Sequence, residues 1–173
     1  MKVALIYKKS VWELFSNSKD SNVSSYISGR TEAKEAFQKS HQTQKDTIQT
    51  VKNTLIASGV EIEMVYRSGI SEPIISSVDL VITVGGDGTF LEASHYITDN
   101  TPILGVNSDP VRSVGFFCSC TGDNFEGLFD EFNNEGSLVQ TIRLEEYFDG
   151  GWSDYEKYIS DHRPVGLSLK FNP

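Results

Sequence analysis

The feature that most constrains this chain is the apolar run Leu80-Val81-Ile82-Thr83-Val84, which ends abruptly at Gly85-Gly86-Asp87-Gly88-Thr89. An unbroken run of β-formers reads as a parallel strand covered on both faces. The glycines stop it and allow a close turn. Helical spacing resumes from about Thr89 to Ile97. A strand, a glycine-rich loop and a helix in that order place the loop at the carboxyl end of a parallel sheet, where α/β folds bind ligands.

The surrounding pattern agrees. Residues 3–7 predict a first buried strand, 60–66 a strand with one wet face (Ile62 and Met64 against Glu61 and Glu63), and 102–106 another buried strand. Residues 16–29, rich in Ser and Asn, read as a loop. A long helix is predicted from Thr31 to Ser58, with Phe37, His41, Gln44, Ile48, Val51 and Leu55 on one stripe and Gly59 as its stop. The first half of that stripe is polar, so it is either exposed or meets a partner. A short helix is expected within 71–77. A further helix over 123–134 is expected to start at Asp123, whose spacing to Glu126 fits a capping box. Leu138 to Leu144 reads as a last strand. Alternation of strand and helix predicts an α/β, Rossmann-like fold, a mainly parallel sheet with helices on both faces. Residues 1–144 form that domain, and 145–173 break the pattern.

The loop can do chemistry. Successive backbone N–H groups and a helix N-terminus cradle phosphate oxygens. An acidic residue among them would repel phosphate unless it accepted a proton or held a metal ion. Asp-Gly is also a common turn dipeptide, but the whole pentapeptide between strand and helix favours the phosphate reading. The chain lacks G-x-x-x-x-G-K-[ST], and Gly86-Asp87-Gly88 lacks the third glycine of the dinucleotide fingerprint.

A net charge of −9 argues against a general nucleic-acid binder. It also requires that any anionic ligand be attracted by local groups. Cys118 and Cys120 lie too close for an unstrained disulfide and lack further ligands for a metal, so buried, reduced thiols are expected. No run approaches a membrane span. A strand directly after Met1 leaves no room for a signal or transit peptide, so a cytoplasmic location is expected.

Gly85-Gly86-Asp87-Gly88-Thr89 resembles the loop shared by NAD kinases, diacylglycerol and sphingosine kinases and, in related form, phosphofructokinases. The segment Pro102 to Phe117, with Gly105-Val106-Asn107 followed by Gly115-Phe116, is similar to the second block of NAD kinases. Asn107-Ser108-Asp109-Pro110-Val111-Arg112-Ser113, the opening Tyr7 to Glu13, and Thr141 to Leu144 look like the mitochondrial-type branch. That resemblance implies phosphoryl transfer from ATP, with Mg²⁺, to the 2′-hydroxyl of the adenosine ribose of NAD(H). It implies Asp87 as the base, Gly86, Gly88 and Thr89 against phosphates, and Asn107 and Phe117 as pocket lining. Arg112 is a plausible phosphate partner because guanidinium matches phosphate geometry. Each has a plainer reading: Asn107 as a turn residue, Phe117 as core, Arg112 as surface charge. Lys8 and Lys9 follow the first strand at the ligand end, and one of them could meet phosphate. His41, His95 and His162 form no ligand pattern, and no dedicated metal site is expected. Small-molecule nucleotides are the expected partners, with no nucleic acid and no membrane, and the resemblance carries self-association as a homo-oligomer.

NAD kinases of this resemblance are longer and carry a second, β-rich domain with an Asn-Glu or Asn-Asp pair. Asn134-Glu135 ends the 123–134 helix and is not that pair. The second domain is expected to be truncated or missing. A non-catalytic nucleotide-binding fragment, or a lipid or other small-molecule kinase sharing the loop, are the alternatives.

Overall fold

The computed structural model describes residues 1–16 and 31–135. A compact unit spans Met1–Phe129. Its core is a five-stranded, wholly parallel sheet of order β2-β1-β3-β4-β5. The strands are β1 (Lys2–Tyr7), β2 (Glu61–Tyr66), β3 (Leu80–Gly85), β4 (Ile103–Asn107) and β5 (Cys120–Thr121). Among the described residues five helices accompany them: α1 (Val11–Phe15), α2 (Thr31–Ala57), α3 (Glu72–Ile75), α4 (Asp87–Ser94) and α5 (Phe125–Glu135).

The chain leaves β1 toward β2 on one side, then crosses back to β3 and proceeds to β4 on the other. Right-handed crossovers put α2 on one face and α3 and α4 on the opposite face. The direction of winding reverses between β1 and β3, and such a reversal opens a crevice beyond the strand ends. Register brings Tyr7 beside Val84, so the next residues, Lys8 and Gly85, flank that crevice.

Burial explains the apolar runs. All six residues of β3 and all five of β4 are buried. Val3 to Ile6, Val81, Ile82, Val84 and Val106 are fully inaccessible. Each valine, leucine and isoleucine among them contributes roughly 1.5–3 kcal/mol relative to exposure. The edge strand β2 is covered less, and there the expected alternation inverts in part: Met64 is 40% exposed whereas Val65 is buried. Glu63, on the same side as Val65, reaches Lys2 at 2.9 Å, and this ion pair explains how an acid sits on the covered side.

Three further expectations are corrected. The helix after the glycine loop starts at Asp87 and ends at Ser94, so Asp87 lies in its first turn. The last helix does not start at Asp123; Gly122–Asn124 is a 3-10 turn, and the capping box is formed by Thr121 and Asn124. α1 was not anticipated, although Ser10 caps it by accepting the Glu13 N–H at 3.1 Å, the geometry of an S-x-x-E start. The polar half of the α2 stripe is used within the chain. Gln44 is buried and donates to the Lys8 carbonyl, and His41 pairs with Ser10 at 2.7 Å. The loop expected over 16–29, the strand over 138–144, the 144/145 boundary and His162 fall largely or wholly outside the described residues.

Candidate functional site: the loop at the end of β3

The glycines of the loop do different things. A Cβ on Gly85 would collide with the Thr89 side chain, and one on Gly86 with Ser113 Oγ. Both sites are closed by the protein's own packing. A Cβ on Gly88 would meet nothing within 4 Å, so that glycine leaves open space in front of the helix. Gly86 caps α4 in an extended conformation, and its carbonyl accepts from Thr89 (2.9 Å) and Phe90 (3.3 Å). The amides of Asp87 and Gly88 therefore precede the first bond of the helix and have no intrahelical partner. A negative charge is favoured there by the helix dipole.

Asp87 is half-buried. Its Oδ1 accepts the Phe117 N–H at 2.8 Å, from a residue thirty positions later. This bond fixes the carboxylate across the loop and joins the two blocks singled out in the sequence.

The second wall is the segment from β4 to β5. The Ser108 N–H donates to the Gly85 carbonyl at 2.8 Å, stitching the ends of β3 and β4 together. Asn107 is buried, and its amide works on both sides of this segment. Nδ2 donates to the Ser113 carbonyl (2.9 Å) and Oδ1 accepts the Asp109 N–H (3.2 Å). Gly115 adopts φ +63°, a left-handed conformation that favours glycine. The Phe117 ring stacks on Phe90 (centroids 5.8 Å apart, planes 8° apart) and meets Phe116 edge-on. Asp109, itself buried, accepts from Ser40 of α2 and from the Arg112 guanidinium at 3.3 Å.

The structure thus gathers Gly86, Asp87, Gly88, Thr89, Asn107 and Phe117 around one loop. Arg112 is exposed on the outer side of the same segment and is engaged by Asp109. Thr89 and Ser108 carry buried hydroxyls without a hydrogen-bond partner among the described residues. The sequence reading missed Asp109, Ser113 and Gly115 as organisers of the loop. Asp109 was visible only as half of an Asp-Pro turn, and nothing in the sequence pairs Ser113 with Gly86.

The two lysines after β1 part company. The Lys9 ammonium lies 4.7 Å from the Tyr66 ring centroid, an attractive cation–π geometry. Lys8 follows directly on β1, and its backbone carbonyl accepts from the Gln44 side chain. The Cys118 thiol is pushed up to about 12, chiefly by burial and then by the Asp87 carboxylate and Cys120, with Lys8 opposing the rise. Cys120 is likewise pushed up to about 12, by burial. Both cysteines are free.

Protonated thiols of this kind are poor nucleophiles. At pH 8 we expect iodoacetamide to modify the native chain more than about tenfold slower than the urea-unfolded chain. The sign for stability follows. The unfolded thiols ionise first, so the full contribution is present below about pH 9 and is lost as pH rises toward 12. A flat denaturation midpoint from pH 8.5 to 10.5 would contradict this.

Comparison with known proteins places these features in context. The ATP-NAD kinase N-terminal domain matches residues 4–137. An NADH kinase of Arabidopsis thaliana is 42% identical over 102 residues, covering 50% of this chain and 32% of that protein. The mitochondrial NAD kinase 2 of Homo sapiens is 31% identical over 114 residues, covering 64% of this chain and 26% of that protein. A crystal structure of an NAD kinase from Archaeoglobus fulgidus in complex with ATP aligns with a TM-score of 0.46 and 20% identity, over 79% of this chain and 39% of that one. The chain matches about a third or less of the length of the first two relatives. Because the domain match runs through most of the 173 residues, the chain belongs to the ATP-NAD kinase family.

Proposed function

We propose that this chain binds ATP and NAD(H) at the β1–β3 crevice and serves the transfer of the terminal phosphoryl group of ATP to the 2′-hydroxyl of the adenosine ribose, giving NADP(H) and ADP. The observation that carries the reading is the position of Asp87: a carboxylate in the first turn of α4, at the open end of a parallel sheet, with one oxygen pinned by the Phe117 amide. In the step, the ribose oxygen forms a bond to phosphorus as the bond from phosphorus to the bridging oxygen of the departing ADP breaks. Asp87 takes the hydroxyl proton. The amides of Asp87 and Gly88 and the open space before Gly88 suit phosphate oxygens. Thr89 supports the loop by filling the space beside Gly85, so its role toward phosphate runs through packing. Asn107 and Phe117 shape the wall, and Arg112 could meet phosphate only by exchanging or sharing Asp109.

Among the described residues no three His, Cys, Asp or Glu side chains cluster. Mg²⁺ takes one or two carboxylates and completes its shell from phosphates and water. Asp87 is committed to the proton, so an ion arriving with ATP would rest mainly on phosphate oxygens and water, and would neutralise phosphate charge. No described helix is long and apolar enough to cross a membrane. We place the nucleotide-binding domain at about 1–144, with 145–173 as the start of a second domain or a remnant replacing it. We assign the chain to the cytoplasm, where protonated, unpaired thiols persist, and to a homo-oligomer.

A second reading, a nucleotide-binding part without turnover of its own, is favoured by the one-third coverage of the relatives. Positioning residues that a partial chain lacks would cost the orientation on which transfer depends. The test is to incubate the chain with Mg²⁺, ATP and NAD and to measure NADP with an NADP-specific dehydrogenase. NADP formation supports the kinase. Binding of ATP or NAD without NADP supports the second reading, and phosphorylation of a diglyceride in its place overturns both.

A further inference from the structure

Two contacts set the glycine loop alongside the segment that follows β4. Gly86 meets Ser113: a Cβ placed on that glycine would lie 2.4 Å from Ser113 Oγ. Asp87 meets Phe117, whose N–H donates to Oδ1 at 2.8 Å. The Ser113 hydroxyl therefore stands over the residue that precedes the carboxylate, on the same wall that pins it.

The backbone of Ser113 is held from both sides. Its N–H donates to the Asp109 carbonyl (2.9 Å), and its carbonyl accepts from Asn107 Nδ2 (2.9 Å). The side chain is half-buried. Among the described residues its hydroxyl makes no hydrogen bond, not even to the carbonyls of the preceding turn, where serine commonly folds back. Asp87 Oδ2 likewise makes none there, since the Phe117 amide takes the other oxygen. Packing against a glycine calls for a small side chain but not for a polar one. An idle hydroxyl and an idle carboxylate oxygen are thus carried side by side on a braced backbone.

We propose that Ser113 donates a hydrogen bond to the attacking ribose oxygen while that oxygen's own proton points to Asp87 Oδ2. The inference rests on the reading of the loop as the transfer site, and it adds a second group that holds the acceptor. The balance is simple. The acceptor hydroxyl carries one proton and two lone pairs. The proton goes to Asp87, one lone pair accepts from Ser113, and the other forms the bond to phosphorus. Ser113 keeps its own proton throughout. Holding the oxygen at two points limits rotation about its bond to carbon, and transfer depends on orientation of that kind.

The test measures binding of NAD, and of its analogue lacking the 2′-hydroxyl of the adenosine ribose, by calorimetry to the wild-type chain, to Ser113→Ala and to Ser113→Cys. Cysteine refills the space over Gly86 with a weak donor, so it separates the lost hydrogen bond from lost packing. Urea denaturation verifies that each variant is folded. Both variants are expected to bind NAD roughly three- to tenfold more weakly and to bind the deoxy analogue as the wild type does. Wild-type NAD affinity in both variants would overturn the proposal. So would equal weakening of NAD and the analogue, because Ser113 would then act only through the loop. The two readings fail separately. NADP formation with unchanged kcat and KM for NAD in Ser113→Ala sinks the Ser113 assignment alone. Weakening confined to NAD, in a chain that forms no NADP, supports Ser113 and counts against the kinase. A wild-type chain that binds neither compound overturns both.

Discussion

Asp87→Asn is expected to lower NADP formation by about 10²–10⁴-fold, with the fold intact. Asparagine keeps the Oδ1 acceptor that the Phe117 N–H requires at 2.8 Å, so the link between α4 and the β4–β5 segment survives. What is lost is the ability to take a proton from the attacking hydroxyl. The negative charge in the first turn of α4 also disappears, at a cost of about 0.3–1 kcal/mol, or a few degrees of melting temperature at most. The loss should therefore appear in kcat, with KM for ATP and NAD near the wild-type values. A variant retaining a third or more of wild-type turnover would remove Asp87 from the role of base.

Gly115→Ala is expected to destabilise the chain by roughly 2–5 kcal/mol and to disorganise the site. The glycine sits at φ +63°, where an L-residue costs about 1–2 kcal/mol. The added methyl would also meet the Asn107 side chain, lying 2.7 Å from Cγ and 3.0 Å from Cβ. Asn107 cannot swing aside, because its amide holds the Ser113 carbonyl and the Asp109 N–H. Overpacking of this kind adds about 1–3 kcal/mol. The consequence spreads along the chain: Ser113 fills the space over Gly86, and Phe117, two residues beyond Gly115, supplies the amide that pins Asp87. Urea denaturation reads the stability, and ATP binding by calorimetry reads the site. An Ala variant as stable as wild type would show that this segment does not brace the loop.

The parts legible in the sequence were those governed by burial on two faces. β3 and β4 are continuous apolar runs because helices cover both sides of them, and their ends at Gly85 and Asn107 follow from the residues that stop them. The edge strand β2 was harder to read. Its side chains alternate in type, but only Val65 is fully covered, and Met64 faces outward. Helix starts were misplaced where neighbouring residues compete for the cap. Asp87 joins α4 rather than preceding it, and Thr121 with Asn124 outcompetes Asp123 as the cap of the last helix. α1 escaped notice although Ser10 and Glu13 carry its capping signal. At the site, the residue types that face phosphate could be named from the loop itself. The braces could not. Asn107 was weighed as a turn residue or pocket lining, and its actual partners, Ser113 and Asp109, are set by the path of the whole segment. The tie from Ser40 to Asp109 spans sixty-nine positions, and no local pattern encodes it.

The central claim is that nucleotide phosphate settles on the amides around Asp87, where the winding of the sheet reverses. A ¹⁵N-resolved amide spectrum of the chain, titrated with Mg²⁺ and ATP, tests it most directly. The account predicts the largest shifts at Gly86, Asp87, Gly88 and Phe117, smaller ones at Lys8, and little change along the far end of the sheet. Saturable binding that leaves those four amides unmoved while shifting others would contradict it.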